Sequence, residues 1–281
     1  MRVVVTGAGG MLGQDVVDVL GASGHHVEGL GRADLDVTDE LGVLAAVRGA
    51  DVVVNCAAYT AVDAAEDDEA AAFAVNATAA QLLARASRRA GARLVHVSTD
   101  YVFAGDADVP YAEDAPTAPR SAYGRTKAAG EWAVRAECPD HLVVRTAWLY
   151  GAGGPCFPRT IARLARERGS VDVVDDQVGQ PTWTRDLAAL VLRLLDAGAP
   201  AGTYHGTASG AVSWFGFARA VVAAAGLDAS GVGPTTSDRF PRPAPRPAYS
   251  VLAHGALERA GVEPIGPWEQ RWDAAAGEVL G

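Results

Sequence analysis

The feature that most constrains the fold is an alternation of short β-branched runs with longer alanine-rich segments. The runs lie near residues 2–6, 26–30, 51–55, 93–98, 142–146 and 171–174, and helical patterns lie between them near 11–22, 64–90, 121–137 and 156–168. Runs such as Val3-Val4-Val5 show no in-and-out alternation, which is typical of parallel strands covered by helices on both faces. This order predicts an α/β fold, a Rossmann-type doubly wound parallel sheet.

Regularity decreases after about residue 175. Helical patterns near 185–197, 213–226, 253–261 and 267–280 are separated by connections rich in glycine and proline. The segment from Pro234 to Pro247 contains five prolines, which is too many for a helix or a central strand, so we predict a loop there.

Charge, cysteines and the N-terminal segment exclude several classes of protein. A net charge of −10 argues against a nucleic-acid-binding protein, which needs a basic face. The three cysteines are scattered and lack the spacing of metal ligands, which favours a reducing compartment and no structural metal. No signal-peptide pattern or membrane-length apolar stretch is present. We therefore expect a cytoplasmic protein that requires no metal and binds neither nucleic acid nor membrane.

A glycine-rich segment, Thr6 to Gly13, connects the first predicted strand to the first helix. Gly7 allows a tight turn, Gly10 lets the backbone approach a pyrophosphate, and Gly13 lets the helix pack closely on the strand. The start of a helix can also bind an anion through its free N–H groups. The spacing alone also fits a plain turn, but its position predicts a dinucleotide-binding loop.

Three further positions point to the same cofactor. Arg32 follows the second strand, where an NAD-preferring site usually has an acid, so we expect NADPH, with NADH as the alternative; a solvated surface arginine is the other interpretation. Asp36 and Val37 are expected near the adenine, whereas Asp39 is interpreted as a helix N-cap or a surface acid. Ala57 and Ala58 follow the third strand and leave room for a flat dinucleotide. The acids from Asp63 to Glu69 are interpreted as stabilising a helix start.

Tyr123 and Lys127 are four residues apart and therefore lie on one face of a predicted helix. A nearby cation favours the ionised form of a tyrosine, so Lys127 is expected to tune Tyr123 as an acid and base while binding the cofactor ribose. Thr99 or Ser98, at the end of the fourth strand, is expected to hydrogen-bond the same carbonyl oxygen as Tyr123. The pair alone would also fit any amphipathic helix.

Together these segments resemble the extended short-chain dehydrogenase/reductase family. The motifs include TGAGGMLG, NCAAYTAVDAAE, STDYVFAG, YGRTKAAGE, RTAWLYG, DDQVGQPTWTRDLA and RPAYSVL, spread over nearly the whole chain. The resemblance implies a Rossmann domain over residues 1–150, with 176–204 returning to it, and a smaller mixed C-terminal substrate lobe over 151–175 and 205–281. It also implies NADPH-dependent reduction of the 4-keto group of dTDP-4-dehydro-L-rhamnose.

The resemblance also implies roles for individual residues. Thr99, Tyr123 and Lys127 would be catalytic, and Thr99, Asp100, Tyr123 and Trp148 would contact the substrate. From its position after a buried strand alone, Trp148 fits a core tryptophan equally well. The implied cofactor contacts are Gly10, Met11, Leu12, Asp36, Val37, Ala58, Tyr59 and Thr60. Apart from the resemblance, an acidic protein needs local positive charge to bind a diphosphate, so Arg242 or Arg246 is expected to meet it, although either fits a plain surface loop equally well.

The chain departs from the family pattern at one place. Cys156 stands where an asparagine is usual, so one polar contact of the family's substrate site is missing. A homodimer is compatible with the resemblance, and no metal ligands for it can be assigned. The alternatives are a ketoreductase or epimerase acting on another nucleotide-linked deoxysugar, and a non-catalytic subunit that binds NADPH. A dehydratase is disfavoured because Tyr101, not an acid, follows Asp100.

Overall fold

The computed structural model describes residues 1–281, and its β structure consists of twelve strands. They are β1 (Arg2–Thr6), β2 (His26–Leu30), β3 (Val52–Asn55), β4 (Arg93–Thr99), β5 (His141–Thr146), β6 (Leu149–Tyr150), β7 (Val171–Val174), β8 (Val178–Gly179), β9 (Thr182–Trp183), β10 (Gly202–His205), β11 (Val212–Ser213) and β12 (Val232–Thr235). Six form a parallel sheet in the order β10-β5-β4-β3-β1-β2, and the rest form the pairs β11-β8, β12-β7 and β6-β9. The strand order reverses between β1 and β3, which is where open α/β sheets bind ligands.

Eleven α-helices surround these strands. They are α1 (Met11–Ala22), α2 (Glu40–Val47), α3 (Ala64–Asp67), α4 (Glu69–Phe73), α5 (Ala79–Ala90), α6 (Ala122–Glu137), α7 (Phe157–Arg168), α8 (Thr184–Asp196), α9 (Trp214–Ala224), α10 (Gly255–Arg259) and α11 (Trp268–Leu280). None of them is long and apolar enough to span a lipid bilayer.

Successive side chains of a strand point to opposite faces of the sheet, and in the central strands both faces are buried. Val3 and Val5 belong to a large core that includes residues of α1, α8 and the C-terminal helices. Val4 lies in a second core, packed with residues of α2, α5 and α6. The continuous valine run therefore serves two helix layers, and the predicted doubly wound fold is confirmed.

Several predicted elements differ from the structure. The predicted strand near 171–174 is β7, but it pairs with β12 outside the main sheet, whose sixth strand is β10. The predicted helix over 64–90 is instead divided into α3, α4, a π-helical turn at Ala74–Thr78 and α5. Helix α2 has no counterpart among the predicted helices, although Asp39 caps it as expected. The predicted loop is wrong at its start, because Pro234 belongs to the edge strand β12.

The segment that follows the proline-rich loop attaches the C-terminal region to the end of β4. Tyr249 donates its backbone N–H to the Gly105 carbonyl oxygen at 3.0 Å. Gly105 has a φ of +79°, and a Cβ there would lie 2.6 Å from Pro247 Cβ. This close contact fixes the proline-rich loop beside the carboxyl ends of β3 and β4.

Candidate active site

The glycine loop is packed so tightly that side chains are excluded. A Cβ on Gly7, whose φ is +71°, would lie 2.6 Å from Ala57 N, and one on Gly13 would lie 2.2 Å from the Gly7 carbonyl oxygen. Helix α1 begins after Gly10 with no side-chain cap, and its first backbone N–H groups have no protein acceptor. The N–H groups at this helix start are free, and the glycines leave no side chains in front of them. Such a helix start fits a pyrophosphate.

The end of β2 lies beside this loop. Arg32 is exposed and forms no ion pair, so its guanidinium is available for an anion. Asp34, which the sequence pattern did not indicate, accepts the Gly31 N–H on its carboxylate at 2.9 Å and places an acid close to this position. Asp36 accepts bonds from the N–H and hydroxyl of Thr38, which lower its pKa, while Val37 packs against the second core.

The segment after β3 is held by two buried asparagines. Asn55 Oδ1 accepts from the Thr6 hydroxyl at 2.8 Å and from Ala57 N at 3.1 Å. Asn76 Oδ1 accepts from Tyr59 N at 2.9 Å, and its Nδ2 donates to the Tyr59 carbonyl oxygen at 3.1 Å. Asn76 comes from the π-helical turn, a feature that often marks functional sites and that sequence periodicity does not reveal.

Asn76 also ties this segment to α6, because its Nδ2 donates to Thr126 Oγ1 at 3.0 Å. Thr126 in turn donates to the Tyr123 carbonyl oxygen at 2.9 Å. Ala57, Ala58 and Tyr59 are half-buried and Thr60 is exposed, so the segment borders open space.

Helix α6 brings Tyr123 next to Thr99. Ser121 caps the helix by accepting the Gly124 N–H at 3.1 Å, and a Cβ on Gly124 would lie 2.3 Å from the Tyr101 carbonyl oxygen. The start of α6 is therefore fixed against the turn after β4. Ser98 is engaged elsewhere, since its hydroxyl donates to buried Glu131 at 2.6 Å, which leaves Thr99 as the hydroxyl beside Tyr123.

Burial has the largest effect on the pKa of both members of the Tyr123–Lys127 pair. Burial raises the pKa of Tyr123 to about 12, against the lowering effect of the Thr99 hydroxyl, and the Asp100 carboxylate adds to the rise. Burial lowers the pKa of Lys127 to about 8, partly opposed by Glu131, and Lys127 Nζ donates to the Val97 carbonyl oxygen at 2.6 Å. Tyr123 is thus neutral at neutral pH and carries a proton to donate.

Asp100 is buried directly behind Thr99. Its Oδ1 accepts from the Thr99 hydroxyl at 2.9 Å, whereas its Oδ2 is buried without a hydrogen-bond partner. Burial raises the pKa of Asp100 to about 6, against the lowering effects of the Ser250 and Thr99 hydroxyls. A buried acceptor with no partner fits a ligand hydroxyl, because leaving it unpaired is costly.

Trp148 lies beyond the end of β5, where Thr146 is in register with Thr99. It is the one non-glycine residue with a positive φ, +46°, and its half-buried indole stacks on Trp214 with the ring centroids 3.5 Å apart. Trp148 is therefore not a residue of the main core.

A cavity of about 590 Å³ lies beneath the proline-rich loop. Residues from several distant segments line it, among them Asp63, Phe157, Trp214, Phe240, Arg242 and Arg246. Asp63 makes no cap bond to α3, contrary to the structural role expected for it, and accepts from Arg246 Nη2 at 2.9 Å. Arg246 also donates to the Ala244 carbonyl oxygen. Arg242 is 61% exposed, and its Nη1 lies as far as 4.0 Å from Asp63 Oδ2. Arg242 is therefore less tightly paired than Arg246.

A second cavity, of about 600 Å³, lies at the edge of β10 and contains none of the predicted site residues. Two of its arginines, Arg135 and Arg145, are already paired with buried Glu131. The cavity beneath the proline-rich loop includes Arg242 and Arg246, whereas Thr99, Tyr123 and Lys127 are not among its lining residues.

The cysteines near the site carry no sign of nucleophilic function. Cys56 follows Asn55, and burial raises the pKa of its thiol to about 12. Cys156 precedes α7, and its Sγ lies 3.6 Å from the Gly151 carbonyl oxygen. It provides no side-chain cap for α7, a bond that an asparagine at this position could make.

Comparisons with known proteins agree with this geometry. The family model described as the RmlD substrate binding domain matches residues 1–280. The chain is 48% identical to a dTDP-4-dehydrorhamnose reductase of Mycolicibacterium smegmatis over 282 residues, covering 100% of this chain and 86% of that protein. It is 49% identical to a probable dTDP-4,6-dihydroxy-2-methyloxan-3-one 4-ketoreductase of Streptomyces antibioticus over 285 residues, covering 100% and 96%.

Among solved structures, dTDP-4-dehydrorhamnose reductase from Bacillus anthracis in complex with NADP superposes with a TM-score of 0.95. That enzyme is 36% identical, with 99% of each chain covered.

Proposed function

The chain belongs to the RmlD substrate-binding-domain family of extended short-chain dehydrogenase/reductases, and we propose from this membership and the site that it reduces dTDP-4-dehydro-L-rhamnose to dTDP-L-rhamnose with NADPH. The observation that carries the proposal is the placing of neutral Tyr123 beside Thr99 at the carboxyl end of β4. This strand end lies on the same edge of the parallel sheet as the carboxyl ends of β1 and β3, between which the sheet order reverses.

The chain's own residues divide the work of the reaction. The bound nicotinamide supplies the hydride that is transferred to C4 of the sugar. Tyr123 donates its phenolic proton to the C4 oxygen, and the Thr99 hydroxyl, by rotating from Asp100 Oδ1 towards the sugar, stabilises the negative charge that develops there. Lys127 holds the cofactor ribose. Asp100, with its free Oδ2, accepts a hydrogen bond from a sugar hydroxyl.

The remaining contacts follow from the positions of the segments. Arg32 pairs with the 2′-phosphate, and Arg242 with Arg246 faces the substrate diphosphate. The dinucleotide lies against residues 1–150 and 176–204, and the nucleotide sugar against 151–175 and 205–281. The contacts proposed for the cofactor are Gly7, Gly10, Met11, Leu12, Gly13, Asp36, Val37, Ala57, Ala58, Tyr59 and Thr60.

The test is an activity assay with one sugar substrate and each of the two cofactors. Purified protein is mixed with NADPH and dTDP-4-dehydro-L-rhamnose, and absorbance of the reduced nicotinamide is followed, then repeated with NADH. We expect oxidation of NADPH and stoichiometric dTDP-L-rhamnose by chromatography. No oxidation of either cofactor would refute the proposed reaction.

A second candidate is a 4-ketoreductase acting on a different dTDP-linked deoxysugar. The equal similarity to the Streptomyces antibioticus ketoreductase favours it, as does Cys156 at a position where an asparagine is usual. The same assay with other dTDP-4-keto sugars separates the two, since the natural substrate gives the highest kcat/KM.

Location and assembly complete the proposal. We propose a cytoplasmic location, because its reducing conditions are compatible with three free cysteines. We also infer a homodimer, because Phe73 on α4 and Trp132 on α6 are 47% and 60% exposed on neighbouring helices. Light scattering on the eluted protein would show one chain or two.

A further inference from the structure

The Trp148 indole lies between two elements that are distant in sequence. One face stacks on Trp214, with the ring planes 6° apart. On another side lies Gly179, where a Cβ would stand 2.5 Å from Trp148 Cε2, closer than any real Cβ contact. Only a glycine at position 179 leaves room for the indole in this orientation.

The β8-β11 pair holds both of these neighbours in place. Gly179 is in register with Val212, so Trp214 follows two residues later at the start of α9. Trp214 N donates to the Gln177 carbonyl oxygen at 3.3 Å, which fixes the start of the helix against β8. The far side of Trp214 packs on Phe157, with centroids 4.4 Å apart, and Phe157 packs on Phe217 of the main core.

The backbone of Trp148 shows why such support is needed. A positive φ is unfavourable for a bulky residue and persists only where the surroundings impose it. The Trp148 carbonyl oxygen accepts the Thr182 N–H at 3.2 Å, so backbone and side chain are both restrained. Strained residues held in this way concentrate at ligand sites.

We propose that Gly179 and Trp214 are positioning residues that clamp the Trp148 indole, so that the sugar ring is held with C4 at Thr99 and Tyr123. The inference rests on the proposed function. Trp214 lines the cavity beneath the proline-rich loop, and Trp148 follows by two residues Thr146, the β5 partner of Thr99. The clamp thus connects the cavity wall to the reacting end of the site.

Two variants test the clamp. Trp214→Leu removes the stack, and Gly179→Ala inserts a methyl group against the indole. A displaced contact of about 1 Å costs on the order of 100-fold in rate, so kcat with the sugar should fall about 10- to 100-fold in both variants. The KM for NADPH should be unchanged. Trp214→Phe, which keeps a flat ring, should recover much of the loss.

Circular dichroism supplies a readout that is independent of activity. Two indoles stacked this closely couple their transitions and give a paired band in the far ultraviolet. Trp214→Leu and Trp148→Phe should abolish that band, whereas exposed Trp132→Phe should keep it. Gly202→Ala is the matched glycine control, since nothing lies within 4 Å of its added Cβ.

The outcomes are distinguishable. If the wild-type protein does not oxidise NADPH with any dTDP-4-keto sugar, the proposed function fails and the clamp falls with it. If the wild type is active and Trp214→Leu loses the band but keeps kcat and the KM for the sugar, the function stands and the clamp is refuted. A fall in kcat with the NADPH KM retained, together with partial recovery in Trp214→Phe, supports it.

Discussion

The dinucleotide end of the site is formed mainly by closely packed backbone, whereas the sugar end is formed mainly by side chains. At the dinucleotide end, glycines bring backbone against backbone, as where a Cβ on Gly13 would meet the Gly7 carbonyl oxygen. At the sugar end, side chains from distant segments meet, as in the Asp63–Arg246 ion pair and the Trp148–Trp214 stack. A backbone site requires a local run of particular residues, whereas a side-chain site requires only that the fold bring its members together.

The largest expected effect lies where the two ends meet. Tyr123→Phe removes the proton donor but keeps the aromatic ring, so turnover should fall by about 100- to 10,000-fold. NADPH affinity, measured by fluorescence titration, should stay near the wild-type value. Tyr101→Phe is the control, because its ring contacts that of Tyr123 edge to face and it has no assigned proton transfer. Near-normal turnover of the Tyr123 variant would remove the proposed catalytic role.

The next effect tests the backbone end alone. In Gly13→Ala the new methyl group would stand 2.2 Å from the Gly7 carbonyl oxygen, so the loop must shift. Overpacking of this kind costs about 1–3 kcal/mol, which corresponds to about 5- to 150-fold in NADPH affinity.

Gly21→Ala lies in the same helix with nothing within 4 Å, so it should bind NADPH normally. Titration calorimetry measures both variants. Equal affinities would mean that the cofactor does not depend on the close packing of this loop.

The difference in construction explains how much the sequence could predict. Glycine spacing, the Tyr123–Lys127 interval and the valine runs are local patterns with direct physical meaning, and they predict the central sheet and the Tyr123–Thr99 neighbourhood. Strand β10 escaped prediction because Gly202–His205 is short and carries no apolar run. Its place is set by pairing with β5.

The sugar end could be predicted only in part. Nothing in the sequence connects Asp63 to Arg246, which are 183 residues apart, or Gly179 to the indole of Trp148. The tuning of Tyr123 by Lys127 stays a prediction. Spacing on a helix does not report burial, and burial is the largest influence on the pKa of both Tyr123 and Lys127.

A smaller effect tests cofactor choice at the backbone end. Arg32 is exposed, and charge-assisted hydrogen bonds to a phosphate contribute about 1.5–3 kcal/mol at most, less in solvent. Arg32→Ala should therefore raise the KM for NADPH about tenfold while leaving that for NADH unchanged. The increase should shrink at high salt, since the contact is screened. Arg48→Ala is a control on the exposed surface after α2. A parallel change in both KM values would contradict a contact with the 2′-phosphate.

The smallest effect concerns pH at the sugar end. Burial raises the pKa of Asp100 to about 6, and the carboxylate form accepts the Thr99 hydroxyl. As pH falls through 6 the acceptor gains a proton, so kcat/KM for the sugar should drop, with about half lost at pH 6. The Ser250 hydroxyl lowers this pKa, so Ser250→Ala should move the midpoint to higher pH, whereas Asp100→Asn should abolish the acid limb. If the fall of kcat/KM at acid pH persists unchanged in Asp100→Asn, the titration belongs to another group. Asp100 would then have no influence on Thr99 that depends on pH.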